Sequence, residues 1–562
     1  MLHRFRLPLA ALVALSLPVA ANAQKSRDKK KDEAKEQPTT ANLDKLHAKD
    51  IAAETAAGWV APPVEEQEVS TRHVATTHAG RMKYTATAGT LTIRDEDAKP
   101  IASVFYVAYT ADGVKDRRHR PVTFFYNGGP GSSSLWLHMG SFAPERVQTA
   151  NPEYIKPAPY AFGPNPETLL DKTDMVFVDA IGTGYSRPLG DKTGKDFWGV
   201  DQDVDAFARA IIRYVTKNAC WQSPKFLFGE SYGTTRSAAL AYQLQDRGMA
   251  LNGVILLSSI LNYGIDQPGF DRDYVNYFPS YAAAAWYHHK VSGAPADLAT
   301  WVEQARQFAA GPYAHALSQG AALDPQARQQ IAQQMSHFIG IPVQYILDAN
   351  LRIDLGRFRK ELLRDQRLTI GRYDSRYTGI DTDAAGENPE YDASDTAISG
   401  AFIGSFHDYL TRDLHYVTPM PYRVSAYGLD GFTWDFKHKA PGRYNRRPQQ
   451  MPDVAIDLGA AMRENPYLHV LSLNGYYDMA TPFFGTEYDL HHMELQPAQE
   501  RNVEFRYYPS GHMAYLNPDA LRMLHRDLSA FYDEVVSGAQ SPVPPVPPSM
   551  TAAGPGGSGP SN

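Results

Sequence analysis

Three residues far apart in the chain, a serine, an acid and a histidine, each follow a strand-like run. Ser231 lies in Gly229-Glu230-Ser231-Tyr232-Gly233, after Phe226-Leu227-Phe228 and before the helix-compatible Ser237-Ala238-Ala239-Leu240-Ala241-Tyr242. Asp478 closes Leu473-Asn474-Gly475-Tyr476-Tyr477-Asp478, and His512 closes Tyr508-Pro509-Ser510-Gly511-His512. A hydroxyl becomes a useful nucleophile when an adjacent base removes its proton, and an imidazole oriented by a carboxylate is such a base. His512 would take the Ser231 proton and return it to the leaving group, while Asp478 would fix the tautomer and stabilise the imidazolium. Alone, Gly-x-Ser-x-Gly recurs by chance, a Ser-Gly-His turn is surface loop, and an acid after a strand caps a turn. The order serine, acid, histidine, each at a strand end, is the order expected of a strand-to-helix nucleophile elbow.

Acyl transfer also needs donors for a developing oxyanion. Asn127-Gly128-Gly129-Pro130-Gly131 follows the apolar Val122-Thr123-Phe124-Phe125-Tyr126, and its glycines let the backbone turn sharply and present N–H groups. The expected donors are the backbone amides of Gly129 and Tyr232, the second at a helix N-terminus.

The elements that must hold these groups read as a mostly parallel sheet. Residues 82–88 and 89–93 alternate, 102–109 form another strand, and Val122-Thr123-Phe124-Phe125-Tyr126 and Asp174-Met175-Val176-Phe177-Val178-Asp179 are apolar on both faces. Residues 204–215 have helical spacing, with Val204, Phe207, Ala208, Ile211, Ile212 and Val215 on one side. Strands alternating with helices predict a three-layer α/β sandwich. From 262 to 452 the alternation stops and helical stretches follow at 297–309, 325–339 and 354–367, which predicts a large, mostly helical cap insertion. Within it, Tyr274, Tyr277, Phe278, Tyr281, Trp286 and Tyr287 either line a pocket or pack the cap. Strands return at 468–473 and 503–508, and a helix over 518–536 closes the fold. The expected parts are a signal peptide at 1–23, a charged flexible segment at 24–66, a core at 67–261 and 453–540 split by the cap at 262–452, and a Pro/Gly-rich disordered tail at 541–562.

The 1–23 pattern has a basic start, an apolar stretch at 7–20 and Ala21-Asn22-Ala23 as a small-x-small cleavage site, so export is expected, to a bacterial periplasm or the exterior. No later stretch is long and apolar enough to span a bilayer. A net charge of −7 over 562 residues, with no basic surplus, argues against nucleic acid as a partner. Cys220 is the only cysteine, so no intrachain disulfide forms. His288-His289 and His491-His492 lack a third ligand at metal spacing, and no Walker-type loop appears, so neither metal nor cofactor is expected. Oligomeric state is not legible.

Five motifs in order resemble the serine carboxypeptidase family, peptidase family S10: Asn127-Gly128-Gly129-Pro130-Gly131-Ser132-Ser133-Ser134-Leu135, Val178-Asp179-Ala180-Ile181-Gly182-Thr183-Gly184-Tyr185-Ser186, Gly229-Glu230-Ser231-Tyr232-Gly233, Asn474-Gly475 with Asp478, and Gly511-His512-Met513. The resemblance spans about residues 84–536. It implies an α/β-hydrolase fold and release of a C-terminal residue from peptide or protein C-termini through an acyl-enzyme. It also assigns Asn127 and Glu230, with Gly128 beside them, to binding the terminal carboxylate. Two carboxylates share a site only if one keeps a proton, which would raise the Glu230 pKa and favour acidic pH. The chain departs from the family pattern in three places: Ser132 replaces a cysteine, Phe125 replaces a tryptophan, and Ser141 replaces a second carboxylate-binding glutamate. The last departure opens the question of strict carboxypeptidase specificity. A cap arginine from 351–376, such as Arg352, Arg357, Arg359 or Arg376, could replace the missing acid, although solvated helix charges are the simpler reading. The rival on the same machinery is an esterase or acyltransferase, and a non-catalytic peptide-binding protein is the remaining class.

Overall fold

The computed structural model describes residues 62–538 apart from Pro268 and Asp430. The expected signal peptide, the 541–562 tail and nearly all of the 24–66 segment lie outside the described residues. At the near end of that segment Glu66 is fastened to the core, accepting from the Arg213 guanidinium at 2.7 and 2.9 Å and from the Thr92 amide at 3.1 Å.

Nine strands build the main sheet: β1 (Glu68–Thr77), β2 (Gly80–Arg94), β3 (Pro100–Ala111), β4 (Val122–Tyr126), β5 (Asp174–Val178), β6 (Lys225–Ser231), β7 (Gly253–Ser259), β8 (His469–Gly475) and β9 (Val503–Tyr508). Their spatial order is β1-β2-β3-β5-β4-β6-β7-β8-β9, with the two-residue Arg187–Pro188 strand added on β3. The strands β1, β2, β3 and β5 pair antiparallel, and from β5 to β9 every pairing is parallel. Side chains of β4 alternate between layers: Phe125 stacks between Phe177 and Phe228, with centroids at 4.8 and 4.9 Å, while Phe124 and Tyr126 enter the opposite core. That opposite layer includes α1 (Val200–Lys217), whose Val204, Phe207, Ala208, Ile211 and Val215 are buried and whose first turn carries Asp201 and Asp203, matched to the helix dipole. A second core helix, α2 (Tyr232–Asp246), leaves directly from the end of β6.

Two differences from the sequence reading concern the antiparallel edge. Residues 82–93 form one continuous strand, not two. Gly89 does not break it, because the glycine lies where a Cβ would stand 2.6 Å from the Gln67 carbonyl, and it exists to admit the entering chain. The polar β1 escaped notice because its alternation is half exposed rather than apolar.

Within the 262–452 stretch, Phe402, Phe406, Tyr409 and Leu410 pack into the sheet's own core with Phe125 and Phe177, whereas residues between Val275 and Ile370 form a separate core. Phe278 on α3 (Arg272–Tyr287), Trp301 and Phe308 on α4 (Leu298–Phe308), and Met335 and Ile339 on α5 (Pro325–Ile339) close it. Of the aromatic residues singled out above, Phe278 and Tyr281 belong to this core, Tyr274, Tyr277 and Trp286 pack on it, and Tyr287 packs on Tyr477. The helix expected over 354–367 ends early, at Leu355–Glu361, because Leu362 and Leu363 both turn into the core. Between α6 (Ser399–Arg412) and residue 454 no α-helix is found among the described residues, and Pro419, Pro421, Gly428, Gly431, Pro441 and Gly442 account for that. Among the described residues no helix is long and apolar enough to cross a membrane.

Candidate active site

Parallel register brings the candidate residues to one edge of the sheet. Tyr126 pairs with Gly229, Leu257 with Glu230 and Leu473, and Gly475 with Tyr508, so the loops after β4, β6, β8 and β9 emerge side by side. Asn127 and Gly129 come from the first loop, Ser231 from the end of β6, Asp478 from the third and His512 from the last.

Ser231 has φ 60° and ψ −131°, a conformation that L-residues avoid, and it turns the chain from β6 into α2. The flanking glycines are steric requirements. A Cβ on Gly229 would lie 2.1 Å from the Gly233 carbonyl oxygen, and one on Gly233 would lie 2.8 Å from that of Tyr126. His512 is 2% exposed, and its Nδ1 lies 2.8 Å from Asp478 Oδ2. Asp478 is itself held: Oδ1 accepts from the amides of Ala480 and Thr481, and Oδ2 accepts from the Thr481 hydroxyl at 2.8 Å. Burial favours the neutral imidazole, but the Asp478 carboxylate outweighs it and raises the His512 pKa. The His512 amide donates to the Tyr373 carbonyl at 2.6 Å, so a cap residue clamps the histidine from outside. Ser231 and His512 line one cavity of about 710 Å³, with no hydrogen bond between their side chains among the described residues. Such contacts tighten when substrate enters.

The glycine loop is packed against the elbow. A Cβ on Gly128 would stand 2.3 Å from the Tyr232 nitrogen, and Gly129 adopts φ +114°, which favours glycine. Tyr232 opens α2, so its amide has no intrahelical acceptor. The loop is pinned from three sides. The buried Arg236, paired with Asp203 at 2.6 Å, donates to the Asn127 carbonyl at 2.8 Å. Asp179, from the second motif, accepts from the Ser134 amide at 2.7 Å and from the Tyr422 hydroxyl at 3.0 Å. Burial pushes its carboxyl up to about 6 against those donors. The irregular cap segment also bonds the loop, through Ser133 N to Val424 O at 2.9 Å and Ala426 N to Gly131 O at 2.7 Å.

Glu230 is 2% exposed and lines the same cavity as Asn127 and Gly128. Burial raises its pKa, His512 opposes, and the result is about 7. Tyr515 and Asn127 stand beside the carboxyl, yet Oε2 is buried without a hydrogen-bond partner among the described residues. Asn127 Oδ1 is occupied by the Leu137 amide at 2.8 Å. Ser141 is fully buried and its hydroxyl bonds the Leu137 carbonyl. The Tyr515 ring fills the adjoining space, where a Cβ on Gly140 would meet it at 2.5 Å. Tyr515 was missed from sequence, although it stands three residues after His512 on the same turn.

The four named cap arginines are engaged elsewhere. Arg352 pairs with Asp271, Arg357 with Glu387 and Arg376 with Asp374, while Arg359 lines the cavity but donates to the carbonyls of Ile370 and Tyr391. Cys220 is buried, with its thiol pushed up to about 11, and takes no part. One histidine-rich group, His78, Glu167 and His525, has ligand atoms within 4.8 Å of one another. Its two imidazoles stack at 4.3 Å and 26°, and rings so stacked do not share a point in both planes at the roughly 2.0–2.1 Å zinc needs. His78 Nε2 lies instead 2.9 Å from Glu167 Oε2.

The family model described as serine carboxypeptidase matches residues 78–337, which takes in the glycine loop and the elbow and stops before Asp478 and His512. A curated relative, serine carboxypeptidase-like 44 from Arabidopsis thaliana, is 29% identical over 146 residues, covering 25% of this chain and 27% of that protein. The match therefore spans about a quarter of the relative's length. Among solved structures, Kex1Δp, a prohormone-processing carboxypeptidase from Saccharomyces cerevisiae, is 14% identical with a TM-score of 0.46, over 80% of this chain and 91% of that one. Proline iminopeptidase from Mycobacterium smegmatis is 14% identical with a TM-score of 0.34, over 80% and 100%.

Proposed function

We propose that this chain, matched by the serine carboxypeptidase family model over residues 78–337, is a member of that family and removes C-terminal residues from peptides through an acyl-enzyme on Ser231. The Ser231 hydroxyl adds to the scissile carbonyl as its proton passes to His512 Nε2, and Asp478 holds the other ring nitrogen. The amides of Gly129 and Tyr232 receive the oxyanion. Collapse of the tetrahedral intermediate expels the amine, which takes the proton from His512. Water then gives a proton to His512 and attacks the ester, and collapse returns that proton to Ser231 with release of the shortened peptide. Asn127, Gly128 and Glu230 form the wall where the departing residue sits.

The observation that carries this reading is the buried 2.8 Å contact between His512 and Asp478, in the wall of the cavity that Ser231 enters from its strained turn. The division into a core at 67–261 and 453–540 with a cap at 262–452, and export directed by residues 1–23, complete the proposal.

The test offers one peptide sequence as free acid, C-terminal amide and simple ester, with products read by mass. Stepwise loss of C-terminal residues from the free acid, absent in Ser231→Ala, is expected. Hydrolysis of the ester with the free acid untouched would make the protein an esterase or acyltransferase instead.

A further inference from the structure

Among the described residues, the Arg372 side chain lines the cavity without a hydrogen-bond or ion-pair partner. Its backbone is rigidly placed: the amide donates to Asp392 Oδ1 at 3.0 Å, and the carbonyl accepts from the Met479 amide at 3.1 Å, next to Asp478. Its neighbour Tyr373 holds the His512 amide. The guanidinium, half-buried, lies 5.5 Å from the centroid of the Tyr373 ring and makes no side-chain hydrogen bond or ion pair among the described residues. Asp392, an acid in the same wall, already accepts from the amides of Arg372, Tyr373 and Ser394 and from the Ser394 hydroxyl. Asp395, also in the wall, is pushed toward its neutral form by burial and then by Asp392. The charge of Arg372 is felt at His512, where it opposes protonation of the ring.

We propose that the Arg372 guanidinium binds the terminal carboxylate of the peptide, supplying from the cap the charge recognition that no acid at Ser141 provides. The proposal rests on the carboxypeptidase reading above. His512 protonates the leaving amine, and in a C-terminal residue the carboxylate is only two bonds beyond that amine. A receptor for it must therefore stand on the imidazole side of the cavity, where Arg372 stands. Guanidinium offers paired donors matched to a carboxylate, and an unpaired one in a half-enclosed cavity is ready to use them. Glu230, which lines the same cavity with Oε2 buried and unpartnered among the described residues, completes the subsite as a neutral donor. Recognition by a fixed cation replaces recognition by a pair of acids sharing a proton.

The experiment measures kcat and KM on matched free-acid and amide peptides for wild type, Arg372→Met, Arg372→Lys and Arg352→Met. Labelling of Ser231 by a phosphonate confirms that each variant is folded. Arg372→Met should lose roughly 10- to 100-fold in kcat/KM on the free acid, the loss appearing in KM, so that the acid-to-amide preference falls by a similar factor. Arg372→Lys should recover part of it, and Arg352→Met should keep the wild-type preference. A wild-type preference for the free acid that survives in Arg372→Met overturns this proposal alone. A wild type that prefers the amide or ester overturns it together with the carboxypeptidase reading.

Discussion

Replacing Glu230 by glutamine should raise heat stability at pH 8 relative to wild type and leave the difference small near pH 4.5. The Glu230 carboxyl is buried, and burial, partly opposed by His512, lifts its pKa from 4.5 to about 7. The unfolded chain gives up that proton near the ordinary glutamate value of 4.5, whereas the folded chain keeps it to about 7. Between the two values the native state binds more protons than the unfolded state, so stability falls as pH rises. Below the lower value both states are protonated and the difference vanishes; above the higher value it is fully expressed. At 1.36 kcal/mol per pKa unit the full effect is about 3 kcal/mol. Unfolding entropy near 2.1 cal/mol/K per residue gives about 1 kcal/mol/K for a chain of 562 residues, hence a shift of about 3 °C. Glutamine does not ionise, so the melting difference between variant and wild type should grow by about 2–3 °C from pH 4.5 to pH 8, read by scanning fluorimetry on both proteins. The same carboxyl must be neutral to share the cavity with a substrate carboxylate, so KM should climb through pH 7 in wild type and stay flatter in Glu230→Gln. A melting difference that ignores pH would refute the reasoning, because Glu230 would then ionise as it does in water.

Gly128→Ala forces a methyl to within 2.3 Å of the Tyr232 nitrogen, so the glycine loop must move away from the elbow; kcat should fall about 100-fold or more, with the phosphonate reaction slowed alongside it. Asp478→Asn keeps the shape but gives His512 Nδ1 a partner that favours the wrong tautomer, and kcat should drop about 10,000-fold with little change in KM. An Asp478→Asn enzyme within tenfold of wild type would show that His512 is oriented by other means.

The fold was readable because its buried strands are nearly pure apolar runs and its core helices keep their spacing. Ser231 announced itself through flanking glycines that have a steric cause, the 2.1 and 2.8 Å approaches at Gly229 and Gly233. Asp478 follows such a strand, whereas the strand before His512 carries Glu504 and Arg506 and is marked only by its alternation. Other features had no local signal. Tyr515 borders Glu230 only because the chain turns after His512, and Arg372 is one of several arginines in its stretch, marked out by its place in the cavity wall rather than by its neighbours in sequence. The segment after α6 carries no periodicity, yet it bonds the glycine loop through Val424 and Ala426. Contacts between distant, aperiodic segments are made by tertiary packing, and a pattern read along one stretch does not contain them.

The central claim is that Ser231 is activated by His512 in the shared cavity. The most direct test treats wild type, His512→Ala and Ser231→Ala with a fluorophosphonate and locates the adduct by peptide mapping. The account predicts one adduct, on Ser231, formed rapidly in wild type, more slowly by several orders of magnitude in His512→Ala, and absent in Ser231→Ala. Labelling of a different residue, or equal rates with and without the His512 imidazole, would contradict it.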